Sequence, residues 1–460
     1  MSDNLEVIIM AAGLGTRMKS RTAKVLHRAA GRPLIDYVVD LAREVSGRPP
    51  IVVIGHQREA VQEHLGDRAR YAVQEKQLGT GHAVMQAMQQ IDGKGRKILI
   101  LSGDVPLTRP ETLKTLLDEH QRAGNALTLI TMQPDDPALY GRIVRGPDGS
   151  VEKIVEAKDA GERQQQIREV NGGIYLFEGQ DLAENLRRLS TDNAQGEYYL
   201  TDLIAMLRAG GKRVGALLIT DPNEALGVNS RAELATVDSE MQRRVVEKLM
   251  REGVTFRNPE TVVIDSMVTI GNDTVIYPFV TLEGNTRIGS DCVIEPGAHL
   301  HNVTIGNDVH IKTGTVAEDA VIEDEATVGP YAHLRPGTKL GKHVKVGNFV
   351  ETKKAIFGEG AKASHLSYIG DADIGADVNI GAGTITCNYD GVNKHKTVLE
   401  DGVFIGSDTQ LVAPVRVGRG AYVGAGSTIT KDVPPDSLAL SRVPQKVVEG
   451  WAKERRKKKK

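Results

Sequence analysis

The chain has 460 residues, which is too long for one hydrophobic core, so two or more domains are expected. Its 58 lysine and arginine residues nearly balance 60 aspartate and glutamate residues, for a net charge of −2. That balance argues against a dedicated nucleic-acid binder, because such domains carry a strongly basic face.

No part of the sequence predicts secretion or a membrane span. Residues 1–9 lack the basic start and long apolar run of a signal peptide, and no stretch approaches the roughly 18 apolar residues that a spanning helix needs. The two cysteines, Cys292 and Cys387, are too few for a disulfide framework and fit a reducing compartment. We therefore expect a cytoplasmic protein with no membrane or nucleic-acid partner.

The first half of the sequence alternates between strand and helix patterns. Short aliphatic runs predict buried strands, and segments with helical spacing of apolar residues lie between them. The strands are predicted at residues 5–10, 50–54 and 97–102, and the helices at residues 34–44 and 81–90. This alternation predicts a parallel sheet that helices cover on both faces.

A single helix is predicted to connect the two halves of the chain. Apolar residues recur at helical spacing between residues 230 and 252, and Gly253 is a suitable end. These apolar positions are Leu234, Val237, Met241, Val245 and Leu249. The expected division is a first domain over residues 1–229, a linker helix over residues 230–253 and a second domain over residues 254–460.

From Ile264 onward an aliphatic residue recurs every six positions, and a glycine often follows it. Four runs keep this period, and their first inward-pointing residues are predicted to be Ile264, Val316, Tyr368 and Ile405. A period of six matches neither an α-helix nor the simple alternation of a strand. It is typical of a triangular parallel β-helix with one short strand and one tight turn per repeat.

A glycine-containing loop follows the first predicted strand and is suited to bind phosphate. Its sequence is Ala11-Ala-Gly-Leu-Gly-Thr-Arg-Met18, and its two glycines let backbone N–H groups approach anionic oxygens. Arg17 and Lys24 add positive charge for a polyphosphate. The loop lacks the third glycine of the dinucleotide fingerprint and the G-K-[ST] end of the Walker A motif, so the pattern alone also fits a structural turn.

Two further segments could complete a nucleotide site. Asp104 follows the strand predicted at residues 97–102, at the edge where α/β sheets bind ligands, and could hold Mg²⁺ against a triphosphate. Taken alone, such an aspartate is more often a turn or helix-capping residue. Gln74 and the segment Gln77-Leu-Gly-Thr-Gly-His82 could recognise a base edge through amide and backbone groups, or could simply begin a helix.

Together these motifs resemble the bacterial family of bifunctional N-acetylglucosamine-1-phosphate uridyltransferases and glucosamine-1-phosphate acetyltransferases. The resemblance runs from about Val7 to Trp451. It also includes Tyr140-Gly-Arg142, Val155-Glu156, Val170-Asn171 and Gly227-Val-Asn229. It implies an α/β fold in which a Rossmann-like nucleotidyltransferase domain is followed by the connecting helix and a left-handed parallel β-helix of hexapeptide repeats.

The resemblance assigns roles to residues of the first domain. Arg17 and Lys24 would neutralise phosphates in catalysis, and Asp104 and Asn229 would hold Mg²⁺. The nucleotide and the sugar would be bound by Ala11, Ala12, Gly13, Lys24, Gln74, Gly79, Thr80, Gly141, Glu156, Asn171 and Asn229, of which Gly141, Glu156 and Asn171 would line the sugar pocket.

Two positions depart from the family pattern. Ala23 stands where such enzymes often have a proline before the lysine, and Ser102 stands where an aromatic residue is expected before Gly-Asp. The first change loosens a turn, and the second alters packing around the nucleotide. Neither removes a charge that the chemistry needs.

A second site is expected where the six-residue repeat is interrupted. Thr352 replaces an aliphatic residue, His365 lies among polar residues, and the chain must leave the coil within residues 386–397. A histidine on a coil is more often structural than catalytic. Acetyl transfer to an amine, however, needs a base that accepts a proton near neutral pH, and histidine is suited to that task.

The resemblance names His365 as this general base. It places the sugar phosphate among Arg335, Lys353, Tyr368 and Asn379. It places acetyl-coenzyme A at Ala382, Asn388, Tyr389, Ser407, Ala425 and Arg442.

The sequence therefore predicts an enzyme with two activities that needs Mg²⁺, although Mn²⁺ prefers similar oxygen ligands. It would acetylate glucosamine-1-phosphate with acetyl-coenzyme A, then transfer a uridyl group from UTP to the product and release pyrophosphate. The resulting UDP-N-acetylglucosamine feeds peptidoglycan and lipopolysaccharide synthesis in bacteria. The resemblance also implies a homotrimer with the acetylation site at the seam between subunits.

Two alternative functions fit the same organisation. One is a pyrophosphorylase whose β-helix serves only assembly and regulation, but such a module has no need of Lys353, His365 and Tyr368. The other is a non-catalytic regulatory subunit, but such a subunit has no need of an intact phosphate loop. The basic run over residues 454–460 fits a solvated tail or a contact to an anionic ligand near the last coil.

Overall fold

The computed structural model describes residues 4–137 and 140–457. The predictions for residues 1–3 and for residues 458–460 of the basic run lie outside the described residues. The chain divides into two units, Met1–Met241 and Gln242–Lys460. No helix in the described part of the chain is long and apolar enough to cross a membrane.

The first unit contains one large sheet with helices on both faces. Its strands are β1 (Leu5–Met10), β2 (Arg28–Ala29), β3 (Arg32–Pro33), β4 (Ile51–Ile54), β5 (Arg70–Val73), β6 (Lys97–Ser102), β7 (Leu127–Met132), β8 (Arg142–Arg145), β9 (Val151–Val155), β10 (Val170–Glu178) and β11 (Val214–Leu218). Its α-helices are α1 (Leu34–Ser46), α2 (Arg58–Leu65), α3 (Thr80–Met88), α4 (Pro110–Ala123), α5 (Glu162–Gln165), α6 (Gly179–Leu186) and α7 (Asp202–Ala209). Short 3-10 helices cover Thr16–Met18, Lys24–Leu26, Gly66–Arg68 and Pro222–Ala225.

The sheet is mixed, whereas the sequence predicted a parallel one. The strand order is β11-β7-β10-β6-β1-β4-β5, and β10 runs antiparallel to both of its neighbours. The chain reaches β10 from β7 through the antiparallel pair β8 and β9 rather than through a helical crossover, so β10 returns in the opposite direction. The other pairs along this path are parallel.

The two faces of the sheet bury separate apolar clusters. Alternate residues of β1 point to opposite faces, so Val7 packs beneath α1 and α4 while Ile8 packs beneath α3, α6 and α7. This packing holds the carboxyl ends of β1 and β6 at one edge of the sheet. The loops that carry the predicted nucleotide residues begin at that edge.

A long helix, α8 (Arg231–Arg251), lies within the segment predicted as a linker helix. Val237 and Met241 pack in the first unit against Met18 and Leu34, and Val246 belongs to the core of the second unit. After α8 the backbone turns at Gly253, where φ is +97°. The helix is therefore part of two hydrophobic cores and not a solvated connection.

The second unit is a parallel β-helix with three walls, followed by the helix α9 (Trp451–Lys457). The strands of the first wall are Thr255–Phe256, Val275–Ile276, Val293–Ile294, His310–Ile311, Thr327–Val328, Lys345–Asn348, Lys362–His365, Asn379–Ile380, Phe404–Ile405, Tyr422–Val423 and Leu438–Ala439. Strands of the other two walls are Val263–Ile264, Thr269–Ile270, Thr281–Glu283, Arg287–Ile288, His299–His301, Thr304–Ile305, Val316–Glu318, Val321–Ile322, His333–Leu334, Lys339–Leu340, Glu351–Phe357, Tyr368–Ile374, Ile385–Cys387, Thr397–Leu399, Gln410–Val412, Val415–Val417 and Thr428–Ile429. A 3-10 helix covers Pro259–Thr261 near the start.

Inward-pointing residues usually recur every six positions, but some turns are one residue shorter. After Ile305 the left-handed residue of the turn comes three positions later, at Asp308, and the next inward residue is Ile311. In the shorter turn after Leu300 the left-handed residue comes two positions later, at Asn302, and the next inward residue is Ile305. Such short turns separate the first three runs that the sequence shows, and the segment between the strands Ile385–Cys387 and Thr397–Leu399 separates the third run from the fourth.

The short turns also correct two predicted inward positions. The buried residues are Ala317 and Ile369, while Val316 and Tyr368 are partly exposed on the walls. In both places the next inward residue follows after five positions, so counting back by six gives the wrong residue. The overall prediction of an α/β domain, a connecting helix and a hexapeptide β-helix is confirmed.

Candidate active sites

A cleft of about 450 Å³ opens at the carboxyl end of β1 in the first unit. It is lined by the loop after β1, by the start of α3 and by residues from three distant segments of the chain. The structure thus brings together most of the residues predicted for the nucleotide and the metal: Ala11, Ala12, Gly13, Arg17, Lys24, Gln74, Gly79, Thr80, Asp104 and Asn229.

The two glycines of the loop have different structural roles. Gly15 has a φ of +61°, and a Cβ there would lie 3.0 Å from the Cβ of Lys24, so backbone and packing both require glycine. A Cβ at Gly13 would meet no atom within 4 Å, so the fold itself does not demand glycine at that position. The open space at Gly13 leaves its backbone accessible from the cleft.

Lys24, Asp104 and Asn229 meet in this cleft. The Lys24 ammonium group forms an ion pair with the Asp104 carboxylate and donates to Asn229 Oδ1 at 3.2 Å. The backbone N–H of Asn229 donates to Glu233 Oε2 at 2.7 Å, which holds the start of α8 beside the cleft. The ammonium group of Lys24, the carboxylate of Asp104 and the amide oxygen of Asn229 are therefore in direct contact in the cleft.

The donor set at this point fits Mg²⁺. Carboxylate and amide oxygens are hard ligands, and Mg²⁺ usually takes one or two protein oxygens and completes its octahedron with water and phosphate. In residues 4–137 and 140–457 no group of three or more His, Cys, Asp or Glu side chains could hold a metal. Water and a phosphate-bearing ligand would therefore complete the coordination that Asp104 and Asn229 begin.

Gln74 is buried at the base of the cleft. Its Nε2 donates to the carbonyl of Gly79 at 3.0 Å and lies 3.0 Å from His82 Nδ1. These contacts use the amide nitrogen and leave Oε1 to accept a hydrogen bond from a ligand N–H. Gly79 has a φ of +101°, and a Cβ there would lie 2.7 Å from the Tyr198 carbonyl oxygen, so only glycine fits this turn.

Gly141, Glu156 and Asn171 form a second group that does not line the nucleotide cleft. The backbone N–H of Asn171 donates to the Gly141 carbonyl at 2.9 Å. A Cβ at Gly141 would lie 3.5 Å from Glu156 Oε2, so the three predicted sugar-pocket residues are neighbours. Thr201 donates to Glu156 Oε1 at 2.9 Å, and Glu197, four residues earlier, lines the nucleotide cleft.

Glu156 lies in an unfavourable environment for a carboxylate. Burial raises its pKa, the hydrogen bond from Thr201 opposes that rise, and the nearby carboxylate of Asp159 adds to it. Sequence reasoning missed both Glu197 and Thr201. They lie in a stretch without a recognisable motif. Only folding brings Glu197 to the nucleotide cleft and Thr201 to Glu156.

On the second unit, neighbouring coils align three of the residues predicted for the sugar phosphate. Glu351 is paired in register with Tyr368 on the next coil, and Lys353 with Gly370. Arg335 donates to Glu351 Oε1 at 2.8 Å. Arg335, Lys353 and Tyr368 therefore come together on one wall, each from a different coil.

A lysine that the sequence analysis did not single out joins this group. The pKa of Lys353 is lowered by contact with Lys394 and by its positive charge, and the charge of Arg335 acts in the same direction. The net effect on Lys353 is still that of neighbouring cations, and a cluster of Arg335, Lys353 and Lys394 suits an anion such as a phosphate group. Lys394 could not be found from repeat spacing, because it lies on the segment that leaves the coil.

This segment runs from the strand Ile385–Cys387 to the strand Thr397–Leu399, as the break in the repeat predicted. A bridge between Tyr389 and Lys394 folds it back on itself. Asp390 accepts hydrogen bonds from the N–H groups of Val392 and Asn393 at 2.8 and 2.7 Å, and the His395 ring contacts its other oxygen at 2.7 Å. These bonds hold Asp390 ionised and keep its pKa well below the ordinary value.

His365 ends a strand of the first wall and is exposed, with Asn348 as its register partner on the preceding coil. In the described part of the chain no group hydrogen-bonds its imidazole ring. Asn379 also lies on the first wall, in register with Lys362. His365 and Asn379 thus lie on a different wall from Arg335, Lys353 and Tyr368.

Four of the residues predicted for acetyl-coenzyme A form a line along one corner of the β-helix. Backbone hydrogen bonds of 2.7 and 2.8 Å link Ala382 to Asp408 and Ser407 to Gly426, and Arg442 donates to the Ala425 carbonyl at 2.6 Å. Their sequence positions alone did not predict this alignment. It follows from the stacking of the coils.

Asn388 and Tyr389 are not part of this line. Both belong to the segment that leaves the coil, where Asn388 is buried and donates to Asp371 Oδ2 at 2.6 Å. Tyr389 is 60% exposed, and its hydroxyl donates to the Gly391 carbonyl at 2.6 Å.

Fold and sites together define a nucleotidyltransferase joined to a hexapeptide-repeat transferase. The family model for nucleotidyl transferases matches residues 6–222. The model for bacterial transferase hexapeptide (six repeats) matches residues 267–301, 285–317, 319–354 and 396–431.

Near full-length relatives narrow this class. The chain is 50% identical over 451 residues to the bifunctional protein GlmU of Geotalea uraniireducens, covering 98% of this chain and 99% of the relative. It is 51% identical to that of Pelobacter propionicus, covering 98% of both chains, and 53% identical to that of Syntrophotalea carbinolica, covering 98% and 97%. The chain belongs to the GlmU family of bifunctional proteins.

Proposed function

We infer that this chain is an enzyme with two activities that together make UDP-N-acetylglucosamine. The second unit transfers an acetyl group from acetyl-coenzyme A to glucosamine-1-phosphate. The first unit transfers a uridyl group from UTP to N-acetylglucosamine-1-phosphate and releases pyrophosphate. The observation that carries this inference is the presence, in one chain of a bifunctional family, of two features: a cleft that gathers the glycine loop with Arg17, Lys24 and Asp104, and an exposed histidine on a β-helix that also carries a cation cluster.

In uridyl transfer, an oxygen of the sugar phosphate bonds to the α-phosphorus of UTP as the bond to pyrophosphate breaks. The nucleophile is already an anion, so no general base is needed, and catalysis depends on position and charge. Arg17 and Lys24 stabilise the phosphates, and the backbone around Gly13 orients them. Mg²⁺, held by Asp104 and Asn229 with phosphate oxygens, would supply further charge neutralisation.

Recognition of the two substrates in the first unit is divided between the two groups of residues. Ala11, Ala12, Gly13, Gln74, Gly79 and Thr80 are proposed to bind the uridine nucleotide. Gln74 Oε1 can accept the N3–H of uracil because Gln74 Nε2 already bonds within the protein. Gly141, Glu156 and Asn171 are proposed to bind the sugar.

In acetyl transfer, the amine nitrogen bonds to the thioester carbonyl carbon, the C–S bond breaks, and His365 moves the amine proton to the departing thiolate. Arg335 and Lys353, joined by Lys394, bind the sugar phosphate. Tyr368 and Asn379 are the other residues proposed for the sugar-phosphate site. Acetyl-coenzyme A lies along the corner formed by Ala382, Ser407, Ala425 and Arg442, with Asn388 and Tyr389 on the adjoining segment.

A homotrimer explains apolar side chains at one corner of the β-helix. Tyr331, Phe349 and Leu366 are 54%, 57% and 62% exposed, and each has a positive φ that a bulky residue rarely adopts. The Tyr331 and Phe349 rings stack at 5.8 Å, and Leu366 directly follows His365. A second copy of the chain would cover these side chains and place the acetylation site at the seam. Sedimentation should therefore give a trimer, and a fully active monomer would contradict the shared site.

The substrates also indicate the compartment. UTP and acetyl-coenzyme A are made in the bacterial cytoplasm, and both cysteines of the chain are free thiols. We therefore propose that the enzyme acts there. Its substrates are small molecules, and we expect no nucleic-acid partner.

A product assay tests the whole proposal. The full chain is incubated with acetyl-coenzyme A and glucosamine-1-phosphate, and separately with UTP, Mg²⁺ and N-acetylglucosamine-1-phosphate. We expect free coenzyme A in the first reaction and pyrophosphate in the second. Pyrophosphate alone would favour a pyrophosphorylase with a purely structural β-helix, and neither product would favour a regulatory subunit.

A further inference from the structure

Tyr175 is a buried tyrosine whose hydroxyl touches a proposed sugar-binding residue. Its side chain is 4% exposed, and its ring centroid lies 6.2 Å from that of Phe177 in the core of the first unit. A buried hydroxyl needs a hydrogen-bond partner, and here Asn171 Nδ2 donates to Tyr175 Oη at 2.6 Å. The phenol is protonated at neutral pH, because burial raises its pKa well above the ordinary value.

The backbone of β10 determines which end of the Asn171 amide faces Tyr175. The N–H of Gly173 donates to Asn171 Oδ1 at 3.0 Å, and only the oxygen end of an amide accepts such a bond. Gly173 has a φ of +72°, and the register with β7 shifts between Asn171 and Tyr175. Residues four apart on a regular strand would be separated by roughly 13 Å, and this irregularity brings the two side chains together.

One hydrogen of the Asn171 amide remains for a ligand after these bonds are made. It is the second hydrogen on the amide nitrogen, and the Asn171 side chain is partly exposed, whereas that of Tyr175 is buried. The carboxylate of Glu156 is close enough for its charge to raise the pKa of Tyr175. Asn171 and Glu156 thus present a donor and an acceptor near each other, which suits the hydroxyl and acetamido groups of a sugar.

We propose that Tyr175 is a positioning residue for the sugar in uridyl transfer, whose hydroxyl fixes the Asn171 amide so that its second hydrogen faces the sugar. This inference rests on the proposed function, because Asn171 is a sugar-binding residue only under that proposal. Tyr175→Phe keeps the ring in the core and removes only the oxygen that holds the amide.

Steady-state kinetics of uridyl transfer by the full chain test this role. In Tyr175→Phe we expect the KM for N-acetylglucosamine-1-phosphate to rise about tenfold, since one hydrogen bond is at stake. The kcat should stay within about twofold, and the KM for UTP and the acetyl-transfer rate should not change. Asn171→Ala should raise the same KM at least as much, and adding Tyr175→Phe to it should have no further effect.

Tyr37→Phe is the matched control, because the Tyr37 hydroxyl donates to the Ala29 carbonyl at 2.7 Å and should leave both KM values unchanged. If Asn171→Ala raises the sugar KM and Tyr175→Phe does not, the role of Tyr175 is wrong while the sugar pocket stands. If neither variant changes it, the proposed sugar pocket itself is wrong. A loss of cooperative thermal unfolding in Tyr175→Phe, or equal changes for both substrates, would show a role in the fold alone and would overturn the inference.

Discussion

The two candidate sites are assembled in opposite ways. In the first unit, Lys24 meets Asp104 and Asn229, which lie 80 and 205 positions further along the chain, because neighbouring strands end at one edge of the sheet. In the second unit, Arg335, Lys353 and Tyr368 meet because successive coils stack in register. A sheet-edge site therefore depends on the whole topology, whereas a β-helix site depends on counting residues within each turn.

The two kinds of site respond differently to local changes in the chain. A one-residue slip in a β-helix turns an outward side chain inward, as the comparison of Tyr368 with Ile369 shows. In the first unit the site depends instead on where strands end and on single positions such as Gly79, which admits only glycine. If the sites are as separate as this implies, a substitution in one should leave the other reaction intact.

The largest expected effect is at the metal position. Asp104→Ala should lower uridyl transfer by about 10³-fold or more, because it removes the only carboxylate proposed to hold Mg²⁺ against the triphosphate. Acetyl transfer should be unchanged, since that site lies on the other unit. Both rates are measured on the same preparation, with Asp40→Ala, an exposed partner of Arg32, as control. Normal uridyl transfer would remove Asp104 from the metal site.

The next effect is at the proposed base. His365→Ala should lower acetyl transfer by ~10²–10⁴-fold, the range typical of a general base, with uridyl transfer unaffected. His343→Ala is the matched control, because His343 is also exposed on the β-helix and pairs with Glu325 at 3.3 Å. An unaltered acetylation rate at neutral pH would exclude His365 from proton transfer.

Truncation tests whether each unit carries its own site. A fragment ending at Met241 should transfer uridyl groups as a monomer, because it retains Val237 and Met241 in the core with Met18 and Leu34. A fragment ending at residue 229, the domain end expected from sequence, loses both buried side chains. At roughly 1.5–3 kcal/mol for each, its free energy of unfolding should be about 3–6 kcal/mol lower, with that figure an upper bound. Denaturant unfolding of the two fragments measures the difference, and equal stabilities would show that α8 contributes nothing to the first core.

The smallest expected effect is in the pH dependence of sugar binding. Because burial raises the pKa of Glu156, this side chain takes up a proton at a higher pH than an ordinary carboxyl group. Protonation removes an acceptor for sugar hydroxyls, so the KM for N-acetylglucosamine-1-phosphate should rise several-fold as the pH falls through this pKa. Glu156→Gln should have a higher KM that no longer depends on pH in that range. A wild-type KM that stays constant as the pH falls from neutral into the range where ordinary carboxyl groups titrate would exclude Glu156 from sugar binding.

Local sequence patterns determined much of the fold of this protein. The aliphatic period of six specified the β-helix, since each turn buries one side chain and needs a small residue or a left-handed position to close. The aliphatic run at residues 5–10 followed by two glycines and a basic pair predicted a strand and a loop suited to phosphate, because both features depend on neighbouring residues. The segment that leaves the coil was also visible as a break in the repeat.

Tertiary structure alone decided the rest. The antiparallel direction of β10, the approach of Glu197 and Thr201 to the two groups in the first unit, and the place of Lys394 beside Lys353 all depend on contacts between segments distant in sequence. The five-residue turns after Ala317 and Ile369 are one residue shorter than the usual six-residue turns, and composition does not reveal this difference. A sequence records periodicity and local chemistry, but convergence in space is set by strand order and register, because only these decide which distant residues become neighbours.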